Sequence, residues 1–334
     1  MAGVRAFAYT TDDGGCRYYR LILPSMALAE HGHSLEVREA TLITVDNQGG
    51  WAVSEPPAEA YVFQRPAKEI TVRAIAWLKD NGRRSFVEFD DALDIVPPFN
   101  EAQLRMRQLE QNPRNMLGAM HAASGIIVST RELAERYRPH NPNVRVVENH
   151  LDTSLWKPRA VRSERPVVGW SGSATHLGDL LLLRGWLERP IQKHGAVFRV
   201  GGAEVYAQFF PGLDVERQPW VSLDEWPATI AALDIGLAPL ADNAFNRCKS
   251  HLKVLEYAAA GIPCIASDLP NYRRFVRHGE TGFIAKHNRD WSRFLDLLLA
   301  DESLRTAMGA AARELAEDYD IRRHVGEWEE ALFG

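Results

Sequence analysis

The chain alternates short runs rich in β-branched and aromatic residues with longer stretches whose apolar residues recur at helical spacing. Alternation of this kind predicts a parallel sheet wrapped by helices. In the first 150 residues the predicted strands are VRAFAYT, SLEVREA, AYVFQRP, SFVEFDD, SGIIVST and VRVVENH. The predicted helices between them are LILPSMALAEHG, TVRAIAWLKDNG, residues 101–123 and RELAERYRP.

The alternation stops over residues 151–166, which contain two prolines and no periodicity, and this predicts a linker. It then restarts with the predicted strands VVGWSGS, AVFRVGG, LDVERQP, DIGLAPL, IPCIASD and GFIAKH, and with helices over residues 177–195 and 250–261. We therefore predict two Rossmann-like domains, residues 1–150 and 167–310. The last residues, 311–334, are predicted to be helical and to cross back to the first domain.

The predicted fold class is α/β, with two doubly wound domains that face each other across a cleft. Open α/β sheets bind ligands at the carboxyl ends of their strands. Candidate functional residues are therefore expected in the turns that follow strands.

Composition limits the class of protein. The 334 residues are 46% apolar and 25% charged with a net charge of −5, which excludes disordered and disulfide-scaffold proteins. Three cysteines without metal-like spacing, Cys16, Cys248 and Cys264, indicate a reducing compartment. The start of the chain resembles no signal peptide and no apolar run reaches 18 residues, so we expect a cytoplasmic protein without a transmembrane segment.

The segment from residue 245 to 270 carries the strongest chemical signal. Ser250 is placed to cap a helix, and Lys249 and Lys253 add positive charge at its start, so a diphosphate is expected there. Glu256, one turn further, has two acceptor oxygens for the hydroxyls of a ribose. The alternative is that the lysines are solvated and Glu256 pairs with one of them.

Three other turns are candidates, each with an ordinary structural alternative. Ser171, Gly172 and Ser173 follow a strand and let a phosphate approach the backbone, or simply permit tight packing, and Gly202 ends the next strand. In the turn after the first predicted strand, Gly14 and Gly15 allow close backbone approach, and Arg17 and Arg20 are expected to contact an acceptor. The alternative is an ordinary turn without a binding role. Asp90 and Asp91 end a predicted strand, and one of them is expected to deprotonate an acceptor hydroxyl. The alternative is that an aspartate caps the following turn.

The phrase KSHLKVLEYAAAGIPCIASDLPNYRRFVRHGETGFIA resembles the carboxyl-terminal signature of retaining, nucleotide-sugar-dependent glycosyltransferases of the GT-B fold, in particular the family 4-like group. VVENHLDTSLWKP and DIGLAPL are also similar to segments of that family. The resemblance implies that Glu256 holds the nucleotide ribose and that Lys253 or Lys249 neutralises the departing diphosphate. The family's second glutamate is replaced by Cys248, so Asn246, Arg247 or a backbone amide is expected to recognise the sugar.

We therefore predict a retaining hexosyltransferase-type enzyme that takes a sugar from a nucleotide diphosphate, most simply UDP, and requires neither a cofactor nor a metal. Residues 102–147 contain seven arginines and three glutamates, and such a basic surface suits an anionic acceptor. A glycan, a lipid phosphate and a hydroxymethylated base in DNA are all possible acceptors. An exposed arginine-rich helix face is the alternative. The rival functions are a nucleotide-sugar epimerase or hydrolase, and an inactive nucleotide-sugar-binding protein.

Overall fold

The computed structural model describes residues 3–10, 14–39, 43–45, 51–53, 57–98, 100, 112–158 and 164–334. Parts of three predicted elements therefore lie outside the described residues. They are Ala40 of the predicted strand SLEVREA, the first half of the predicted 101–123 helix and residues 159–163 of the predicted linker.

The first sheet has six parallel strands in the order β2-β1-β5-β6-β7-β8. All five residues of β5 and of β6 are buried, as expected for strands covered by helices on both faces. A separate antiparallel pair, β3 with β4, was not predicted. The strands are β1 Arg5–Tyr9, β2 Ser34–Arg38, β3 Ile43–Val45, β4 Trp51–Val53, β5 Ala60–Gln64, β6 Ser85–Phe89, β7 Gly125–Val128 and β8 Val144–Val146.

The second sheet repeats this arrangement with six parallel strands in the order β11-β10-β9-β12-β13-β14. Its order reverses between β9 and β12, which is the kind of switch point where such sheets bind ligands. The strands are β9 Val167–Gly172, β10 Val197–Gly202, β11 Val215–Gln218, β12 Ile235–Ala238, β13 Cys264–Ser267 and β14 Gly282–Ala285.

Helices connect the strands on both faces of each sheet. Around the first sheet they are Gly15–Arg17, the π-helical Tyr18–Ile22, Leu23–Glu30, Glu69–Asp80, Leu93–Ile95, Pro113–Ala122 and Arg131–Tyr137, and Thr153–Leu155 follows. Around the second they are Ala174–His176, Leu177–Leu180, Leu181–Leu183, Glu188–Lys193, Glu204–Phe209, Trp226–Ala231, Ala244–Arg247, Leu252–Ala259, Pro270–Phe275, Asn288–Ala300 and Glu302–Glu317, and the chain ends with the helix Ile321–Phe333.

The helix predicted over residues 177–195 is interrupted. Its first part ends at Leu183, and the chain then turns through Gly185, whose φ of +83° suits glycine. Helix resumes at Glu188 and includes Pro190, which is tolerated in a first turn because no N–H is needed there. The prediction of one continuous helix was therefore wrong.

The final helix packs against the first domain. His31 Nδ1 lies 2.9 Å from Glu329 Oε1, and the ring of His33 stacks on Phe333 at 5.1 Å. Trp328 is 1% exposed. One continuous hydrophobic cluster includes residues of β1, of the Leu252–Ala259 helix and of this final helix, so the two sheets share part of their core.

Arg20 organises the junction between these parts. Its side chain is 1% exposed and pairs with the fully buried Glu88, with Arg20 Nε at 2.7 Å from Glu88 Oε1. The same guanidinium donates to the Val147 carbonyl and to Asn149 Oδ1, and it lies 5.2 Å from the Trp328 ring. The prediction that Arg20 contacts an acceptor was therefore wrong, because the protein itself surrounds the side chain.

We expect Arg20→Met to lower the free energy of unfolding by about 3–5 kcal/mol, because it leaves the Glu88 carboxylate buried without its partner. The double variant Arg20→Met/Glu88→Leu should recover part of this loss. Urea unfolding followed by circular dichroism measures both. The control is Arg73→Ala, which breaks the exposed pair with Glu69 and should cost no more than about 0.5 kcal/mol. Equal effects of Arg20→Met and this control would contradict the assignment.

Candidate active site

Side chains from the carboxyl ends of the two sheets meet and bond to one another. The Tyr19 hydroxyl donates to Glu256 Oε1 at 2.7 Å, across 237 positions of sequence. Lys249 Nζ lies 3.1 Å from Asp91 Oδ1. Residues predicted for donor binding and for acceptor binding therefore lie on opposite sides of one interdomain site.

The helix of the predicted phosphate site runs from Leu252 to Ala259. Its N-cap position is His251, which makes no capping hydrogen bond, so Ser250, the predicted cap, lies one residue before that position. Ser250 Oγ accepts from Asn149 Nδ2 at 2.8 Å and, in a long hydrogen bond of 3.4 Å, from the Leu252 N–H. Because this cap is weak, the first N–H groups of the helix remain suited to an anion.

Lys253 points from the first turn of this helix toward the end of β9. Its Nζ donates to the Ser171 carbonyl and lies 5.5 Å from the Trp170 ring. Burial lowers the pKa of Lys253 to about 8; the Glu256 charge opposes this shift and the Lys249 charge adds to it. An ammonium group makes a stronger hydrogen bond to a phosphate anion than to a neutral carbonyl, so a phosphate would replace the Ser171 carbonyl as its partner.

The turn after β9 faces Lys253. Gly172 is paired in register with Gly202, which ends β10. Gly202 has a φ of +78°, and a Cβ there would lie 2.6 Å from the Gly172 carbonyl, so only glycine fits. The Ser173 hydroxyl is paired with that of Thr175 at 2.7 Å. The structure thus brings the predicted donor-site turn together with Lys253.

Glu256 is 7% exposed and is held through one of its two oxygens. Oε1 accepts from Tyr19 and, at 3.0 Å, from Trp226 Nε1. Burial raises the pKa of Glu256, and the hydrogen bond from Tyr19, the Lys253 charge and the Trp226 bond oppose the rise. Oε2 accepts no hydrogen bond from the described residues, which leaves an acceptor for hydroxyl groups.

Two tryptophans extend from Glu256 along the cleft. Trp226 stacks on Trp220, with ring centroids 5.9 Å apart and an interplanar angle of 28°. Trp220 is 60% exposed, and its ring lies against Gly202. This aromatic pair offers an exposed face next to the carboxylate predicted to hold a ribose.

Asp90 and Asp91 directly follow β6 and differ in their main hydrogen-bond partners. Arg65, with a φ of +48°, binds Asp90 through two hydrogen bonds of 2.6 and 2.7 Å. Burial pushes the pKa of Asp90 upward, yet the Arg65 charge and hydrogen bonds outweigh it and hold the pKa at about 2. Of the two aspartates predicted to deprotonate an acceptor hydroxyl, Asp90 is therefore unsuited to the task. Asp91, 20% exposed, faces Lys249.

The turn that follows β1 contributes fewer groups to the candidate site than predicted. Gly14 is the N-cap of the Gly15–Arg17 helix with a φ of −105°, which any residue adopts, and a Cβ at Gly15 would make only ordinary contact with Tyr19. Arg17 Nη1 pairs with Glu39 Oε1 at 2.8 Å. Residues 11–13 of this turn lie outside the described residues.

The residues expected to replace the missing glutamate are occupied elsewhere. Cys248 is 6% exposed, and its carbonyl accepts from the Thr130 hydroxyl at 2.9 Å. Asn246 Nδ2 donates to Asp179 Oδ1 and to the Ala241 carbonyl. Arg247 lies at the surface in a pair with Asp242. The predictions for the Asn246 and Arg247 side chains are not supported by this geometry.

Sequence reasoning missed Tyr19, Trp226 and Arg65. Nothing local marks a tyrosine or a tryptophan whose polar hydrogen bonds to a glutamate distant in sequence. The signal for Arg65 was equally weak, because its contact with Asp90 spans 25 positions of sequence.

The predicted basic surface of the first domain is partly neutralised. Arg136 pairs with Asp94, and Arg145 donates to the Glu330 carbonyl. Arg114, Arg131 and Arg138 are exposed. The remaining two arginines of the predicted surface, Arg105 and Arg107, lie outside the described residues.

Among the described residues, His150, His324 and Glu327 are close enough to share a metal ion. The two imidazole rings stack at 4.0 Å and 14°, so their nitrogen lone pairs run nearly parallel and do not converge on one ion. Both nitrogens of His324 are also hydrogen-bonded.

No helix in the described part of the chain is long and apolar enough to cross a membrane.

Comparison with solved structures gives the class of fold. Anabaena HepE, in a complex with UDP and glucose, matches with a TM-score of 0.71 and 14% identity over 98% of this chain and 99% of that one. Sucrose-phosphate synthase from Thermosynechococcus elongatus matches with a TM-score of 0.67 and 14% identity over 99% of each chain. The predicted α/β fold, with two Rossmann-like domains in the GT-B arrangement, is confirmed.

Sequence comparison agrees with this class. A family model described as glycosyl transferase-like matches residues 184–330. A D-inositol 3-phosphate glycosyltransferase of Corynebacterium aurimucosum is 27% identical over 57% of this chain and 51% of that relative. An uncharacterized glycosyltransferase of Haemophilus influenzae is 33% identical over 24% of each chain. The chain thus spans between a quarter and a half of the length of these relatives, and its resemblance to GT-B glycosyltransferases is confirmed.

The low pKa of Lys253 predicts pH-dependent anion binding at this site. Between pH 7 and pH 9 the amine loses its charge, so the affinity for inorganic pyrophosphate should fall by up to about tenfold relative to Lys253→Arg. The arginine variant is the reference because its guanidinium stays protonated. Isothermal titration calorimetry measures both proteins. Parallel pH profiles would show that Lys253 does not bind the anion.

Proposed function

We propose that this chain is a glycosyltransferase that moves a sugar from a nucleotide diphosphate sugar, most simply a UDP-sugar, to a hydroxyl acceptor. The observation that supports this best is the meeting of Lys253, the Ser171–Gly172–Ser173 turn and Glu256 at one interdomain site. In the proposed complex the diphosphate lies between this turn and the start of the Leu252–Ala259 helix. The ribose hydroxyls bind Glu256 Oε2.

The nucleobase is proposed to stack on the aromatic pair. A base attached to a ribose at Glu256 lies within reach of Trp220, since Trp226 contacts both residues. The exposed face of Trp220 supplies the stacking surface.

The proposed reaction retains the anomeric configuration. The bond between the anomeric carbon and the phosphate oxygen breaks, a bond to the acceptor oxygen forms on the same face, and the acceptor proton passes to the departing phosphate. Lys253 and the helix N-terminus stabilise the negative charge that develops on the diphosphate. A phosphate base agrees with the low pKa of Asp90, which makes that carboxylate a poor proton acceptor.

The acceptor is proposed to bind on the first-domain side, near Asp91. A glycan hydroxyl suits this site better than DNA, because two of the arginines of the predicted basic surface are already bonded within the protein. Lipid-linked and hydroxymethylated DNA acceptors are tested as alternatives, together with the rival functions. We also propose a cytoplasmic location and the domain boundaries given above.

Incubation with UDP-, GDP- and ADP-sugars, with and without glycan, lipid-linked or hydroxymethylated DNA acceptors, tests the reaction class. Nucleotide release that depends on an acceptor is the expected result. Release without an acceptor would instead indicate a hydrolase, conversion of the sugar an epimerase, and binding without turnover an inactive binding protein.

Lys253→Ala should lower kcat by at least about tenfold with little change in thermal stability, because the lost charge acts mainly on the transition state. Glu256→Ala should raise the KM for the nucleotide sugar more than it lowers kcat. The matched control is Lys193→Ala, which removes an exposed lysine of the same domain that pairs with Asp296. Steady-state kinetics of the three variants decide the assignment, and unchanged kinetics of Lys253→Ala would remove this lysine from the proposed role.

Trp220→Ala should weaken the binding of the preferred nucleoside diphosphate by about tenfold, the usual effect of losing one base–aromatic stack. Affinity for inorganic pyrophosphate should not change, and Trp220→Phe should retain most of the nucleotide affinity. Fluorescence titration measures these constants. Equal losses of nucleotide and pyrophosphate binding would mean that Trp220 supports the fold rather than the base.

A further inference from the structure

His176 and Asp179 form a fixed pair just beyond the turn that follows β9. His176 Nδ1 lies 2.8 Å from Asp179 Oδ2, and Asp179 is 5% exposed. The other carboxylate oxygen, Oδ1, accepts from the Ala241 N–H and from Asn246 Nδ2, both at 2.8 Å. With three donors around it, the Asp179 carboxylate has one orientation, and it fixes the ring of His176.

The second ring nitrogen of His176 is left for a ligand. Because the Asp179 carboxylate accepts a hydrogen bond from Nδ1–H, the proton of the neutral ring stays on Nδ1 and Nε2 carries a lone pair. Nε2 forms no hydrogen bond with the described residues and is not fully buried, and the side chain is 15% exposed. Burial lowers the pKa of His176 and the Asp179 bond opposes this, while the charges of Lys249 and Lys253 lower it further, so the ring is neutral at pH 7.

The position of this lone pair limits what it can bind. His176 follows Ser173 by three residues and is close enough to Lys249 and Lys253 to sense their charges. A neutral acceptor repels a phosphate oxygen but accepts a hydrogen bond from a hydroxyl. The ribose hydroxyls are proposed to bind Glu256, so next to a diphosphate held by the same turn the hydroxyls left for His176 are those of the sugar.

The two side chains expected to contact the sugar, those of Asn246 and Arg247, bond to aspartates instead. Cys248 is buried, and Asn246 donates to the Asp179 carboxylate that orients His176. We propose that His176 accepts a hydrogen bond from a hydroxyl of the donor sugar and thereby contributes to sugar selection, with Asp179 as its positioning residue. This inference rests on the proposed function, because it requires a nucleotide sugar in the cleft.

The test compares the affinities of His176→Ala for UDP and for UDP-glucose. GDP with GDP-mannose, or ADP with ADP-glucose, replaces this pair if the wild-type protein prefers that nucleotide. Affinity for the nucleotide sugar should fall about tenfold, as expected for one lost hydrogen bond, while affinity for the free nucleotide should stay within twofold. His176→Gln, whose amide oxygen also accepts, should recover most of the loss.

The positioning role of Asp179 is tested with Asp179→Asn. The asparagine amide donates to Nδ1 and forces the proton onto Nε2, so kcat/KM for the nucleotide sugar should fall as in His176→Ala. Inhibition by the free nucleotide should be unchanged, which also shows that the loop around Ala241 is intact.

His194→Ala is the matched control, because His194 forms a similar pair with Asp296 at 2.8 Å but precedes β10 and so lies at the opposite edge of the sheet. It should leave both affinities unchanged. Equal affinity changes for the free nucleotide and its sugar in His176→Ala, or no change in either, would overturn the inference. Failure of the wild-type protein to bind any nucleotide sugar would instead overturn the proposed function.

Discussion

The hydrogen bond from Tyr19 to Glu256 joins the two sheets at the point where the site is built. It places a tyrosine from the first domain and a tryptophan from the second on one oxygen of a buried carboxylate, and leaves the other oxygen for a ligand. A buried carboxylate needs such donors, because desolvation of its charge is costly. The closeness of the two sheets and the availability of Glu256 therefore depend on the same contact.

Charge balance across the cleft follows the same logic. Lys249 is paired with Asp91 from the opposite domain, whereas Lys253 has a carbonyl oxygen as its hydrogen-bond acceptor. A bound diphosphate gives Lys253 the anionic partner that it lacks. The Lys249–Asp91 pair thus joins the residues proposed to bind the donor to the side of the cleft proposed to bind the acceptor.

The sequence predicted most of this framework because its signals are local. Strand and helix patterns mark both sheets, and the spacing of Lys253 and Glu256 on one helix face follows from helical geometry. Ser171, Gly172 and Gly202 were identified because small residues after strands are visible in the sequence itself.

The remaining features depend on tertiary contacts that no local pattern encodes. Arg20 looked available for an acceptor, yet burial against Trp328 and Glu88 removes it from the cleft. Asp90 and Asp91 looked equivalent, but Arg65 makes two hydrogen bonds to Asp90 and only a longer ion pair of 3.7 Å with Asp91. Ser250 lies one residue before the N-cap position, and its hydroxyl oxygen also accepts from the distant Asn149, which no local pattern shows.

A crystal structure of the protein with a bound nucleoside diphosphate is the most direct measurement of the central claim. The account predicts phosphate oxygens between Lys253 Nζ, the first N–H groups of the Leu252–Ala259 helix and the turn after β9, with the ribose on Glu256. A nucleotide bound elsewhere, with Lys253 still donating to the Ser171 carbonyl, would contradict it.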